Sequence, residues 1–204
     1  MAFRVGVLIS GDGTNLQAIL DTVHGRDGIE VVCVGSSREG APGLERARLA
    51  GVQAAVHARS NHPDRDARDA ALGDWLERHL VDLVVHAGFM EILGGGYVRR
   101  FEGRAINVHP SLLPAFPGLR AVERAVEAGA TQTGVTVHFV DEGMDTGPII
   151  LQEAVELPPV PDLPQVRRQV HEIEHRLLPE VVRLIATGAV SRDPADPRVV
   201  RVRR

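Results

Sequence analysis

Short, nearly continuous apolar runs alternate along the chain with stretches in which apolar residues recur every three or four positions. The runs "FRVGVLIS", "IEVVCVGSS", "VQAAVHA", "VDLVVHAG" and "RAINVHP" have the length and density of strands buried on both faces of a parallel sheet. Between them, "TNLQAILDTVHG", "GAPGLERARLAG" and "RDARDAALGDWLERHL" carry the helical period. The alternation predicts an α/β fold, a doubly wound, mostly parallel sheet with helices on both faces, in which ligands bind at the carboxyl ends of the strands. After Gly118 a helix, "LRAVERAVEAGA", precedes two more strands, "TGVTVHFV" and "PIILQEAVEL". These bring the sheet to about seven strands and add an antiparallel or mixed edge. "PPVPDLP" then breaks the chain before an amphipathic helix at about 163–187, with Val166, Val170, Ile173 and Leu177 on one stripe, Pro179 as a kink and Gly188 as its stop. Residues 1–190 read as a single domain, and 191–204 as a solvated basic tail that frays.

Composition narrows the ligand class. The 204 residues hold 23 basic and 27 acidic side chains, a net charge of −4, which disfavours nucleic acid or an anionic membrane and fits small-molecule substrates. Cys33 is the single cysteine, so no intrachain disulfide forms, and its apolar surroundings mark a buried, inert thiol. No stretch reaches the roughly 20 apolar residues of a membrane span. Met1 leads straight into a strand without a signal segment, so a cytoplasmic address is expected. The assembly is left open, a homodimer included.

Four features carry candidate chemistry. In "LISGDGTN" a strand runs through Gly11 and Gly13 into a helix for which Thr14 is a reasonable cap. Such a turn exposes amides at the positive helix end and suits a phosphate. Leu16 stands where the dinucleotide fingerprint has its third glycine, and no Walker lysine is present, so a monophosphate is favoured over NAD or ATP. In "RAINVHPSLLPAFPG", alternation puts Asn107 and His109 on one strand face, and Pro110 ends the ladder. An amide that donates to an oxyanion and an imidazole that moves a proton suit acyl transfer. His86, also at a strand end, is read as a satisfied structural histidine. The loop "DEGMDTGP" offers Asp145 as the carboxylate that orients an imidazole. Finally, "HEIEH" has the His-Glu-x-x-His spacing of a zinc site in His171 and His175, but no third ligand follows and Pro179 is close.

The segments "ISGDGTNL", "GLERARLAG", "AGFMEIL", "INVHPSLLPAFPGL", "GVTVHFVDEGMDTGPIILQ" and "EHRLLPEVVR", in this order along nearly the whole chain, resemble the phosphoribosylglycinamide formyltransferase family of purine biosynthesis. The resemblance implies the formyltransferase fold, transfer of a formyl group from 10-formyltetrahydrofolate to the amine of glycinamide ribonucleotide, and no metal. By motif, Asn107, His109 and Asp145 match the catalytic trio. Gly13, Thr14 and Asn15 match the turn that holds the nucleotide phosphate, and Glu174 matches a ribonucleotide contact. The folate pocket falls on Phe89, Met90, Glu91, Ile92, Leu93, Asn107 and the backbone from Val140 through Asp141 to Asp145, with Arg65 reaching toward the folate tail. Glu91 replaces the arginine usual in the family, and His86 replaces an aliphatic residue. A reversed charge at 91 is expected to weaken attraction to an anionic folate tail unless only the backbone there binds.

In the implied mechanism the acceptor amine attacks the formyl carbon directly, without a covalent enzyme intermediate. Asn107 and protonated His109 stabilise the oxyanion, and Asp145 holds the imidazole. The ribonucleotide then has to reach from the phosphate turn to His109. Gly13→Val is expected to obstruct the phosphate and raise the Michaelis constant for the acceptor first. The alternatives are a 10-formyltetrahydrofolate hydrolase, a methionyl-tRNA formyltransferase, for which length and charge leave little room, and a non-catalytic folate- or nucleotide-binding relative.

Overall fold

A computed structural model describes residues 1–203, and the chain divides into two compact units, Met1–Asn107 and Val108–Arg204. The first unit contains β1 (Phe3–Ile9), α1 (Thr14–Thr22), β2 (Ile29–Ser36), α2 (Pro42–Leu49), β3 (Gln53–Val56), a 3-10 turn at Arg59–Asn61, α3 (Arg65–Arg78), β4 (Leu83–His86) and α4 (Gly95–Arg100). The strand β5 (Ala105–His109) crosses the boundary. Because β1 pairs in parallel with both β2 and β4, Val5, Val7, Leu8 and Ile9 are buried, as a strand covered on both faces requires. Gly6 lets α3 come close: a Cβ there would lie 2.9 Å from the Leu76 side chain. Cys33 is buried, and that burial, opposed by nearby Arg4, pushes its thiol up to about 12. It stays protonated and unreactive, as its setting in the sequence implies.

The second unit holds α5 (Ala121–Glu127), β6 (Gln132–Phe139), β7 (Ile149–Glu156), α6 (Leu163–Ala186), β8 (Val190–Arg192) and β9 (Val200–Val202). The main sheet has seven strands in the order β3-β2-β1-β4-β5-β6-β7. It is mostly parallel, with the β6–β7 pair antiparallel, and helices flank it. The amphipathic stripe of α6 buries Val166, Val170, Ile173 and Leu177. The helix continues through Pro179, which has no N–H to return to the His175 carbonyl.

One expectation needs correction, and one element was not foreseen. Residues 190–202 do not fray: β8 and β9 form an antiparallel hairpin, fastened by Arg201 on Asp193 and by the Arg192 guanidinium 5.3 Å from the Phe139 ring centre. Val200 and Val202 alternate with Arg201 and Arg203, and Val190 pairs with Val202 across the hairpin, so the short segment has apolar residues on one face. Arg204 lies outside the described residues. The helix α4 was hidden by "GGG", of which Gly94 is its N-cap and Gly95 and Gly96 its first residues, yet it buries Tyr97 and Val98. Among the described residues no helix is long and apolar enough to cross a membrane.

Candidate active site

His109, the last residue of β5, is buried. Its Nε2 lies 3.0 Å from the Phe116 carbonyl and its Nδ1 3.3 Å from Asp145 Oδ2. A carbonyl and a carboxylate only accept, so both ring nitrogens face acceptors, an arrangement that suits the doubly protonated ring. Asp145 Oδ2 also accepts from the Gly118 amide at 2.7 Å, while Oδ1 lies 3.7 Å from His138 Nε2. Burial opposes ionisation of Asp145, but the facing His138 ring, the Gly118 amide and the nearby His109 outweigh it and hold the carboxyl below its usual range. The structure brings together His109 and Asp145, both singled out in the sequence, and adds His138, which was not. The signal for His138 was an imidazole within the buried strand "TGVTVHFV".

Two loops place these groups. In the aspartate loop, Asp141 Oδ1 accepts from the Gly143 amide at 3.1 Å and the Thr146 hydroxyl at 2.8 Å. A Cβ at Gly147 would collide with the Phe139 carbonyl oxygen. Asp145 itself takes a left-handed backbone at φ 56°, a strained conformation of the kind held where neighbours over-determine it. The proline-rich loop after β5 is anchored by Thr136, whose hydroxyl donates to the Ser111 carbonyl at 2.7 Å and accepts from the Leu113 amide at 3.1 Å. Gln152 donates to the Leu113 carbonyl at 2.9 Å. This fixes the backbone that offers Phe116 O and Gly118 N.

Asn107 precedes His109 by two positions on β5 and pairs in register with His86 of β4. His86 is buried, with Nε2 3.3 Å from the Tyr97 hydroxyl. That partner gives it the structural role expected of it.

The first unit carries the phosphate-turn candidates. Gly13 is the N-cap of α1 at φ 68° with no side-chain cap, and Thr14 is the first helical residue, so Thr14 is not the cap. Arg46 braces the turn, its Nε donating to the Asp12 carbonyl at 2.7 Å and Nη1 to Gln17 at 3.0 Å. A Cβ at Gly13 would lie 2.7 Å from Gly43 Cα. Gly13→Val therefore strikes the backbone of α2 and a left-handed φ, so its first effect is on the fold and it no longer serves as a clean test of acceptor binding. Gly11 faces open space.

Arg65, Phe89, Met90, Glu91, Ile92 and Leu93 also lie in the first unit. Met90 and Ile92 are exposed. Glu91 does not stand alone: its Oε2 is 3.3 Å from Arg68 Nη1. Arg65 opens α3 beside a cleft of about 630 Å³ that Asp66, Gly95 and Arg99 also line. In the second unit, Val140 and Asp141 are partly exposed and Glu174 is buried on α6. His171 and His175 have ring centres 6.1 Å apart. Among the described residues no group of three His, Cys, Asp or Glu side chains is placed to hold a metal ion.

A carboxylate-held histidine closes a strand of a mostly parallel sheet on an α/β scaffold. The formyl transferase family model matches residues 3–182, and the chain belongs to that family. More particularly, it is 42% identical over 186 residues to phosphoribosylglycinamide formyltransferase of Haemophilus influenzae, covering 91% of this chain and 88% of that one. It is 45% identical over 192 residues to the trifunctional purine biosynthetic protein adenosine-3 of Drosophila pseudoobscura pseudoobscura, covering 93% of this chain and 14% of the length of that larger relative. Among solved structures, glycinamide ribonucleotide transformylase 1 from Symbiobacterium toebii superposes with a TM-score of 0.93 at 48% identity, over 98% of this chain and 94% of that one. The expected family and fold are borne out.

Proposed function

We propose that this chain transfers the formyl group of 10-formyltetrahydrofolate to the amine of glycinamide ribonucleotide, a step of purine biosynthesis. The observation that carries the reading is His109 Nδ1 at 3.3 Å from Asp145 Oδ2 in a member of the formyl transferase family. The amine nitrogen attacks the formyl carbon, the new N–C bond forms, and the oxygen becomes an oxyanion met by Asn107 and the protonated His109 ring. The C–N10 bond then breaks, and the proton lost by the amine ends on N10, giving formylglycinamide ribonucleotide and tetrahydrofolate. Asp145 keeps the imidazole oriented. Gly13, Thr14 and Asn15 receive the nucleotide phosphate, since the first amides of a helix have no intrahelical acceptor. Glu174 contacts the ribonucleotide, and Arg65, Phe89–Leu93 and Val140–Asp145 hold the donor. Residues 1–190 act as one catalytic domain on small molecules, with no nucleic acid or metal in the reaction, in the cytoplasm.

The test follows a labelled formyl group. Label moving to the acceptor amine, with tetrahydrofolate released only when acceptor is present, supports the reading. Release without acceptor makes the chain a hydrolase, and donor binding without turnover makes it a binding protein. Exhaustive chelation should leave the rate unchanged. Loss of activity on chelation, restored by zinc, would overturn the metal-free mechanism.

A further inference from the structure

A buried charge lies against the backbone of residues 88–94. Arg68 of α3 is fully buried. Its Nε donates to Asp69 Oδ1 at 2.6 Å and its Nη2 to the Ile92 carbonyl at 3.3 Å. Nη1 forms an ion pair with Glu91 at 3.3 Å, and the guanidinium sits 6.0 Å from the Phe89 ring centre. Asp69 extends the grip, its Oδ2 accepting from the Gly94 amide at 2.7 Å. From the end of β1, Ser10 Oγ accepts from the Met90 amide at 2.7 Å. Backbone groups at 90, 92 and 94 are thus each tied to a buried side chain, leaving the Met90 and Ile92 side chains exposed.

Burying a guanidinium carries a desolvation penalty that its partners only offset, so a buried ion network is a weak route to stability. This one fixes where a loop backbone lies. We propose that Arg68 is the positioning residue of the donor loop and that Glu91 is its counter-ion. The proposal rests on the reading of Phe89–Leu93 as donor-binding. Under it, the carboxylate at 91 is turned to the lock, and the lock outweighs any repulsion of an anionic folate tail. An arginine fork suits this task because it meets Asp69, Ile92 and Glu91 at once, which a single ammonium does not.

The experiment measures both Michaelis constants, melting and amide exchange in wild type, Arg68→Lys and Glu91→Gln. Each variant should raise the constant for 10-formyltetrahydrofolate, by about ten-fold for Arg68→Lys, the loss of one charge-assisted hydrogen bond. The ribonucleotide constant should stay within about two-fold, with faster exchange confined to 88–94. If Arg68→Lys fails to fold, the partly exposed Glu91 carries the test alone. A fall in the donor constant for Glu91→Gln overturns the proposal, because the carboxylate would then act by repelling the donor. Equal rises for both substrates, or unchanged constants in an active enzyme, also overturn it. A wild type that releases no tetrahydrofolate overturns the transfer reading itself, and this proposal with it.

Discussion

The aspartate loop and the loop at 88–94 reach fixed conformations by opposite means. The first is self-built: Asp141 ties Gly143 and Thr146 within six residues, and Gly147 packs on Phe139 at its mouth. The second borrows its rigidity, from Ser10 eighty positions away and from Arg68 and Asp69 more than twenty positions away. A loop that presents one carboxylate needs only its own turn chemistry. A loop that presents a length of backbone needs anchors along that length, and those come from the scaffold.

The contrast can be broken at its strongest point first. If the aspartate loop exists to hold one imidazole, His109→Ala and Asn107→Ala should fold normally and lose about 100- to 1,000-fold in turnover. Near-normal rates in either would remove it from the reaction. Next, a self-built loop should fail from within: Gly147→Ala forces a methyl into the Phe139 carbonyl and should cost about 1–3 kcal/mol in denaturant unfolding. A borrowed loop should fail from outside. Ser10→Ala, which strands the Met90 amide, should cost about 0.5–1.5 kcal/mol and raise the donor Michaelis constant more than the acceptor's. Equal effects would erase the distinction between the loops.

The smallest effect lies away from both loops. Burial, helped by His62, Arg68 and Arg78, lowers His57 to about 4. Between its ordinary value near 6.5 and about 4, the unfolded chain binds a proton that the folded chain refuses, so stability falls as pH drops through that window. His57→Leu should flatten the melting curve there. An unchanged slope would reassign the acid sensitivity to other groups.

Most of the scaffold was legible because strands covered on both faces read as unbroken apolar runs. His109 stood out as a polar residue where a strand stops, and Asp145 as a carboxylate in a glycine-rich loop between two strands. The Phe116 carbonyl and Gly118 amide were not, because backbone groups carry no residue signature. Arg68 shares its helix stripe with buried Leu72 and Leu76, a charge on an apolar face that the sequence displays, but its partner Ile92 is fixed only by folding. The hairpin at 190–202 was missed because three-residue strands are too short for alternation to stand out.

The central claim is that the Asp145–His109 pair is the chemical centre of formyl transfer to an amine. Asp145→Asn removes the charge that faces the imidazole while retaining an oxygen for the Gly118 amide. The account predicts that formylation of glycinamide ribonucleotide falls by at least about 100-fold, with melting and both Michaelis constants close to wild type. Turnover within a few-fold of wild type would contradict it.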